Sequence, residues 1–261
     1  MSRPVPPDLP TVVDAPGGAW TVAVRRGSAA DLHAASADSV AAPAVRTVVV
    51  NEVESPALVL GSTQRPELLR AEVRAAAAAG TGPSVVQRRS GGGLVPLAPG
   101  AQLWVDVVVP AGDPLWTDDA TMAARVAGQW WVDALVAEGA DPELVRTDPD
   151  SLGRPANDRE LGRVVCFAGI GPGEVEVAED FGIWWKTVGI SQRRTRHGAV
   201  LQCLVPRRWD HRSVVDALDP EVVGATMVRQ VGDALGVGAS PGVGDAADGL
   251  LTAFLAVLAC T

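Results

Sequence analysis

Lys186 is the only lysine in the chain; the other 21 of its 22 basic residues are arginines. It stands in Trp184-Trp185-Lys186-Thr187-Val188-Gly189. An ammonium is a compact point charge on a flexible stem, whereas a guanidinium is a planar fork with a fixed charge. One lysine kept among so many arginines is either a remnant of codon bias or a position whose chemistry needs the ammonium. Its neighbours favour chemistry. From Lys186 to Gly198 the chain packs one lysine, three arginines, Ser191, Gln192 and His197 into thirteen residues, behind a tryptophan pair. A solvated basic face needs no Gly, Ser and Gln between its charges. A second block, Arg88-Arg89-Ser90-Gly91-Gly92-Gly93, pairs forked donors with a backbone that can approach an anion closely. Taken alone it is equally a flexible turn. Cys166, in Val164-Val165-Cys166-Phe167, is either a nucleophile or an inert core thiol.

Other motifs carry less. Lys186-Thr187 is not preceded by Gly-x-x-x-x-Gly, so a phosphate-binding P-loop is absent. Gly169, Gly171 and Gly173 read as a bare turn. Cys203 and Cys260 read as core and tail, and three scattered cysteines make neither a disulfide framework nor a zinc site. No metal ligand set is expected. His33 and His211 have no partner at recognisable spacing and read as surface or helix residues; His197 reads as a loop-orienting residue.

The elements that must position these blocks follow from periodicity and turn residues. Strands are expected at Trp20 to Arg25, Val45 to Val50, Ala57 to Leu60, Val85 to Arg88, Leu103 to Val109, Arg163 to Phe167, Glu174 to Val177, Ile183 to Val188 and Ala199 to Val205. Helices are expected at Ser28 to Val40, Pro66 to Ala79 with Gly80 just past its end, and Asp118 to Glu138 capped by Gly139. Three more close the chain, near Arg212 to Leu218, Glu221 to Leu235 and Asp248 to Leu258. Asp141 to Asp158 reads as a loop. Residues 1–18 form a Pro- and Gly-rich lead-in, and 19–261 one domain. Without regular βαβ alternation, the fold class is α/β or α+β, a mixed sheet with helices packed outside.

Composition narrows the partners. The net charge of −9 argues against a nucleic-acid groove. The N-terminus has no apolar signal core, and the run from Leu250 to Cys260 is too short to span a bilayer. The expectation is a cytoplasmic protein with reduced thiols and neither nucleic-acid nor membrane partners.

Three blocks together resemble the lipoate-protein ligase A family of the biotin/lipoate ligase and lipoyl/octanoyl transferase superfamily. Arg88-Arg89-Ser90-Gly91-Gly92-Gly93-Leu94-Val95 is similar to its Arg-Arg-x-Ser-Gly-Gly-Gly-Ala-Val block. Lys186-Thr187-Val188-Gly189-Ile190-Ser191-Gln192 resembles its Lys-(Ile/Val)-x-Gly-Ser-Ala-Gln block. Leu58-Val59-Leu60-Gly61-Ser62-Thr63-Gln64 resembles a strand running into Gly-x-x-Gln. They arrive in the family's order and span about Val45 to Val205.

The resemblance implies the biotin/lipoate ligase catalytic-domain fold, with an acyl tunnel between the glycine loop and the lysine strand and no appended accessory domain. It implies activation of lipoic or octanoic acid with ATP and Mg²⁺ as an acyl-adenylate. The acyl group then passes to a lysine of a lipoyl-domain acceptor or a glycine-cleavage H-type protein. Lys186 would touch the acyl carbonyl and the α-phosphate. Arg88, Arg89, Ser90, Gly91, Gly92 and Gly93, with Gln64, Gly189, Ser191 and Gln192, would hold the acyl head and nucleotide. Two departures stand out: the family's usual His is Leu97 here, and a usual Asn is Ala101. A non-catalytic acyl-binding homologue would fit those losses but not the retained lysine. The superfamily's cofactor-free transferases resemble the chain in one more respect: they place a nucleophilic cysteine about where Cys166 stands. In that version octanoyl carrier protein is the donor and Lys186 favours the thiolate.

Overall fold

Runs of β-branched residues punctuated by turns build most of the scaffold, and period-two alternation decides which face of the sheet each side chain serves. The structure, a computed structural model, describes residues 9–147, 158–179, 183–208, 210–238, 243 and 246–261. Residues 1–8 of the expected lead-in and 148–157 of the expected loop lie outside the described residues.

Eleven described strands form two sheets. They are β1 (Val12–Val13), β2 (Trp20–Gly27), β3 (Thr47–Val53), β4 (Ala57–Leu60), β5 (Ser84–Gln87), β6 (Val95–Leu97), β7 (Gln102–Pro110), β8 (Val145–Thr147), β9 (Val175–Glu179), β10 (Ile183–Thr195) and β11 (Gly198–Pro206). The large sheet runs β1-β2-β3-β7-β11-β10-β9-β8 and the small one β5-β4-β6. Parallel pairs β2/β3 and β4/β5 within otherwise antiparallel ladders make both sheets mixed. The helices are α1 (Ala29–Asp38), α2 (Ala71–Ala78), α3 (Ala120–Ala137), α4 (Asp158–Val164), α5 (His211–Ala217), α6 (Pro220–Val223), α7 (Ala225–Gly238) and α8 (Ala247–Leu258). This is the expected mixed sheet with packed helices.

Alternation along β7 separates two cores. Leu103, Val105, Val107 and Val109 face α3 and α8, where Trp131 stacks on Phe254 at 4.0 Å between centroids. Trp104 belongs to the opposite core, with α1, α7 and the small sheet. The neighbouring β11 divides likewise: Leu201, Cys203 and Val205 join the first core, which leaves Gln202 and Leu204 on the Trp104 face.

Several elements depart from expectation. Pro66–Leu68 is a single 3₁₀ turn, and the helix starts only at Ala71. Between them Leu69 is fully buried and bridges Leu218, so core packing overrides helix propensity. The helix expected from Glu221 breaks at Gly224, whose φ of 91° ends α6 before α7. Arg163 to Phe167 is not a strand. Arg163 and Val164 complete α4, Val165 is extended and makes a single bridge to Leu94, and Cys166–Ala168 form a 3₁₀ turn. β10 runs seven residues beyond the expected Val188 because Gly189 to Thr195 pair with β11. β8 lies inside the expected loop, and Val12–Val13 of the lead-in pair with β2.

Candidate active site

The glycine run is clamped against the Cys166 turn by backbone. Leu94 donates its N–H to the Val164 carbonyl (3.0 Å), and Cys166 donates to the Leu94 carbonyl (2.9 Å). Gly93 packs so tightly there that a Cβ would lie 2.8 Å from the Cys166 nitrogen and 2.6 Å from the Gly162 oxygen. Gly92 has a φ of 98°, and a Cβ on it would sit 2.7 Å from Arg88 Nη2. Arg88 itself is buried and points back into the loop. It donates to the carbonyls of Gly91 (2.8 Å) and Gly93 (2.9 Å), and burial pulls its pKa below the ordinary arginine value against the charges of Cys166 and Glu174. Its donors shape the loop.

Lys186 lies on β10 facing this turn and is 2 % exposed. Its ammonium donates to the carbonyls of Cys166 (2.6 Å) and Gly169 (3.0 Å), and pairs with Glu174 Oε2 at 2.5 Å. The three acceptors match the three hydrogens of an ammonium. Cys166 Sγ is 3.7 Å from the same nitrogen, and the Phe167 ring centroid 5.1 Å. Glu174 is held in turn by the N–H groups of Gly171 (2.6 Å) and Ile190 (3.1 Å).

Two cavities meet here. A cleft of about 570 Å³ is lined by Gly92, Cys166, Glu174, Lys186 and Gln192, with Arg159 and Arg163 of α4 on its rim. Behind it lies a narrow, mostly apolar slot of about 40 Å³ between β6, which follows the glycine run, and β10. Val95, Leu97, Trp104 and Leu204 form its walls. Alternation on β10 feeds both spaces: Ile190 and Gln192 face the cleft, Gly189 and Ser191 the slot. Cys166 lines both.

A buried polar chain underlies the slot. Ser90 Oγ donates to Gln202 Oε1 (2.5 Å) and lies 3.2 Å from Ser191 Oγ. Gln202 Nε2 reaches Ser36 Oγ at 2.8 Å and His33 Nδ1 at 3.3 Å. The His33 ring packs against Trp104 at 4.4 Å between centroids, tilted by 35°, and the Trp104 indole donates to Asp106 (2.8 Å). Burial first, and the Arg88 charge second, lower the His33 pKa to about 3, so the ring is neutral at neutral pH. Burial raises Asp106 to about 6, against the hydrogen bond from the Trp104 indole.

The residues singled out in sequence therefore separate. Lys186, Cys166, Gly92 and Gln192 meet at the cleft; Ser90, Gly189, Ser191 and Arg88 adjoin the slot. Gln64 is buried away from both, its amide donating to the carbonyls of Arg163 (2.8 Å) and Val164 (2.9 Å) and so tying the β4 loop to α4. Arg89 is exposed and pairs with Asp38 at 3.3 Å, outside both cavities. Gly91 contributes its carbonyl to Arg88. His33, expected as a surface or helix residue, is buried because α1 lays it over Trp104. Glu174, Arg159, Arg163 and Gln202 were not anticipated. Gln202 alone had a signal, a single polar residue in the apolar run of β11. Among the described residues no group of three His, Cys, Asp or Glu side chains could hold a metal ion, and no helix is long and apolar enough to cross a membrane.

No family model and no curated protein matches the sequence. Solved structures do match in fold. A bipartite lipoate protein ligase of Thermoplasma acidophilum, described with its E2 lipoyl domain, aligns with a TM-score of 0.62 at 12 % identity over 90 % of this chain and 80 % of its own. A second T. acidophilum structure, with bound lipoic acid, gives 0.59 at 13 % over 92 % and 85 %. A lipoate-protein ligase A bound with ATP gives 0.53 at 12 % over 91 % and 93 %. The chain has the catalytic-domain fold these proteins share.

Proposed function

We propose that this chain is an enzyme of the lipoate ligase and acyltransferase class, which places a medium-length acyl group on a lysine of an acceptor protein such as a lipoyl domain. The fold it shares with lipoate ligases supports the class. The observation that carries the reaction is Cys166, which lines both cleft and slot with its sulfur 3.7 Å from the only ammonium in the chain. In this reading the acyl chain lies in the slot and its thioester carbonyl at the junction. The Cys166 thiol gives up its proton, its thiolate attacks that carbonyl, a new C–S bond forms, the donor C–S bond breaks, and the donor leaves as a thiolate that takes up the released proton. The acceptor amine then attacks the acyl-cysteine: C–N forms, C–S breaks, and the amine's proton returns to sulfur. Lys186 supplies positive charge beside the reacting atoms, and a substrate oxygen reaching it must replace one of its three acceptors. Glu174 holds the ammonium in place. Ser90, Gly189 and Ser191 border the chain, and Gly92 and Gln192 the head group.

A second reading keeps ATP. The cleft has the room typical of a ligand site, and Arg159 and Arg163 would hold phosphates while Gly92 lets backbone approach them. ATP, when bound, would supply activation of a free carboxylate. The block resemblances rank this route first, whereas the position of Cys166 and the occupied donors of Lys186 favour the thioester route.

Intact-mass measurement separates them. With octanoyl carrier protein and no nucleotide, the thioester route gives a hydroxylamine-sensitive acyl adduct that maps to Cys166 and vanishes in Cys166→Ser. Pyrophosphate release from ATP with octanoate or lipoate, unaffected by Cys166→Ser, would overturn it in favour of the ATP route.

A further inference from the structure

The direction of the hydrogen bonds beneath the slot fixes where the His33 proton sits. Gln202 Nε2 donates to Ser36 Oγ of α1 at 2.8 Å. The Gln202 amide nitrogen therefore faces α1, and its oxygen accepts from Ser90 (2.5 Å), which agrees with that orientation. The second amide hydrogen points at His33 Nδ1, 3.3 Å away, making Nδ1 the acceptor. A neutral imidazole has one N–H, and it must then be on Nε2. That atom is buried and has no hydrogen-bond partner, in a residue that is 8 % exposed and lines the slot. A buried donor without an acceptor is costly, and few are left so without a reason. Water is poorly held there: beside Val95, Leu97, Trp104 and Leu204, the polar residues of the lining, Arg88, Ser191 and Gln202, already bond to protein partners. His33 lines the slot and not the cleft, so it faces the part of a chain that lies inside the slot.

We propose that His33 determines the specificity of the slot: its Nε2–H donates to an oxygen or sulfur on the distal part of the bound chain, so the slot selects a heteroatom-bearing acyl chain over a plain alkyl chain of equal length. The proposal rests on the slot being the acyl site. Gln202 is the positioning residue that sets the tautomer, and the Trp104 ring packs against the imidazole at 4.4 Å between centroids, tilted by 35°.

Calorimetric binding of octanoic acid, 6-thiaoctanoic acid and lipoic acid to the full chain tests it. The first two differ only by sulfur for methylene. One hydrogen bond predicts that the thia acid and lipoic acid bind about three- to tenfold more tightly than octanoic acid. In His33→Phe, which keeps an aromatic ring over Trp104, the ratio of thia to plain acid should fall to about one through loss of that hydrogen bond, with octanoic acid binding retained or improved. Should that variant fail to fold, the wild-type ratio decides alone. Equal or better binding of octanoic acid by the wild type, or a ratio unchanged in His33→Phe, overturns the role of His33 while leaving the acyl site standing. Binding of none of the three acids overturns the acyl site and the proposal with it.

Discussion

The Lys186–Glu174 pair gives the most demanding test of the site's energetics, because both side chains are almost wholly buried, 3 % and 7 % exposed, and their atoms are 2.5 Å apart. Lys186→Met removes the ammonium but leaves the Glu174 carboxylate inside. Breaking a buried pair from one side costs about 3–5 kcal/mol. Glu174 keeps the N–H groups of Gly171 and Ile190, so the lower end applies, about 3 kcal/mol. Glu174→Gln leaves the ammonium bonded to the Cys166 and Gly169 carbonyls and should cost about 2 kcal/mol, the scale of an unmet charged partner. The double variant Lys186→Met, Glu174→Gln buries neither charge. Its loss should therefore be about 3 kcal/mol rather than the sum of about 5, a coupling of about 2 kcal/mol. Urea unfolding of the four proteins measures this directly. In thermal unfolding Lys186→Met should melt about 6–12 °C lower, from about 2–4 °C per kcal/mol in a chain of this size. If the double variant loses the sum of the two single losses to within about 0.5 kcal/mol, the pair does not hold the site as argued.

Lys186→Arg should fold but lose acyl transfer, by about a hundredfold or more, the usual scale for removing a positioned charge-stabilising group; near-normal turnover would return the lone lysine to codon bias. Gly92→Val should abolish transfer and lower stability by about 1–3 kcal/mol, since a β-branched residue resists a φ of 98° and its Cβ would meet Arg88 Nη2 at 2.7 Å; an active, stable variant would contradict the clamped loop. For Asp106, the folded pKa of about 6 lies above the ordinary 3.8. Its contribution is therefore full below pH 4 and is lost as pH rises through 6, about 3 kcal/mol in all. The stability of wild type relative to Asp106→Asn, from urea titrations at pH 4 and pH 7.5, should fall by about that amount at the higher pH; a flat difference would show that the carboxylate is not strained by burial.

Strands with plain alternation and helices with marked ends were legible from sequence: α3 begins two residues after its expected start and ends one before its expected end, and β7 and β11 were found almost to the residue. The failures share a cause, tertiary packing overruling a local signal. Val164-Val165-Cys166 looks like a strand because β-branched residues favour one. The helix nevertheless runs to Val164 and buries Leu161, Val165 alone is extended and bridges Leu94, and Cys166 falls on a turn where its sulfur meets Lys186. Of the site, sequence supplied the residues whose rarity or clustering marks them: Lys186, the glycine run and Cys166. It could not supply Glu174 or His33. The pairings that matter are not local: Glu174, just before β9, meets Lys186 on β10, and His33 meets Gln202 across 169 positions.

The same geometry separates two roles that the arginine pair seemed to share. Arg88 and Arg89 are adjacent, so one faces inward and the other out. Arg88 meets the carbonyls of Gly91 and Gly93, whose loop needs several parallel donors that a guanidinium fork supplies. Arg89 pairs with exposed Asp38 at 58 % and 72 % side-chain exposure, an interaction of little energetic weight in water. Lys186 answers a different demand. Its acceptors come from the turn at Cys166, from Gly169 and from Glu174, and converge on a single nitrogen. A planar fork cannot point three donors at one tripod, while a tetrahedral ammonium does so without strain. In a chain that otherwise writes arginine, that tripod is a physical reason for the one lysine to stay.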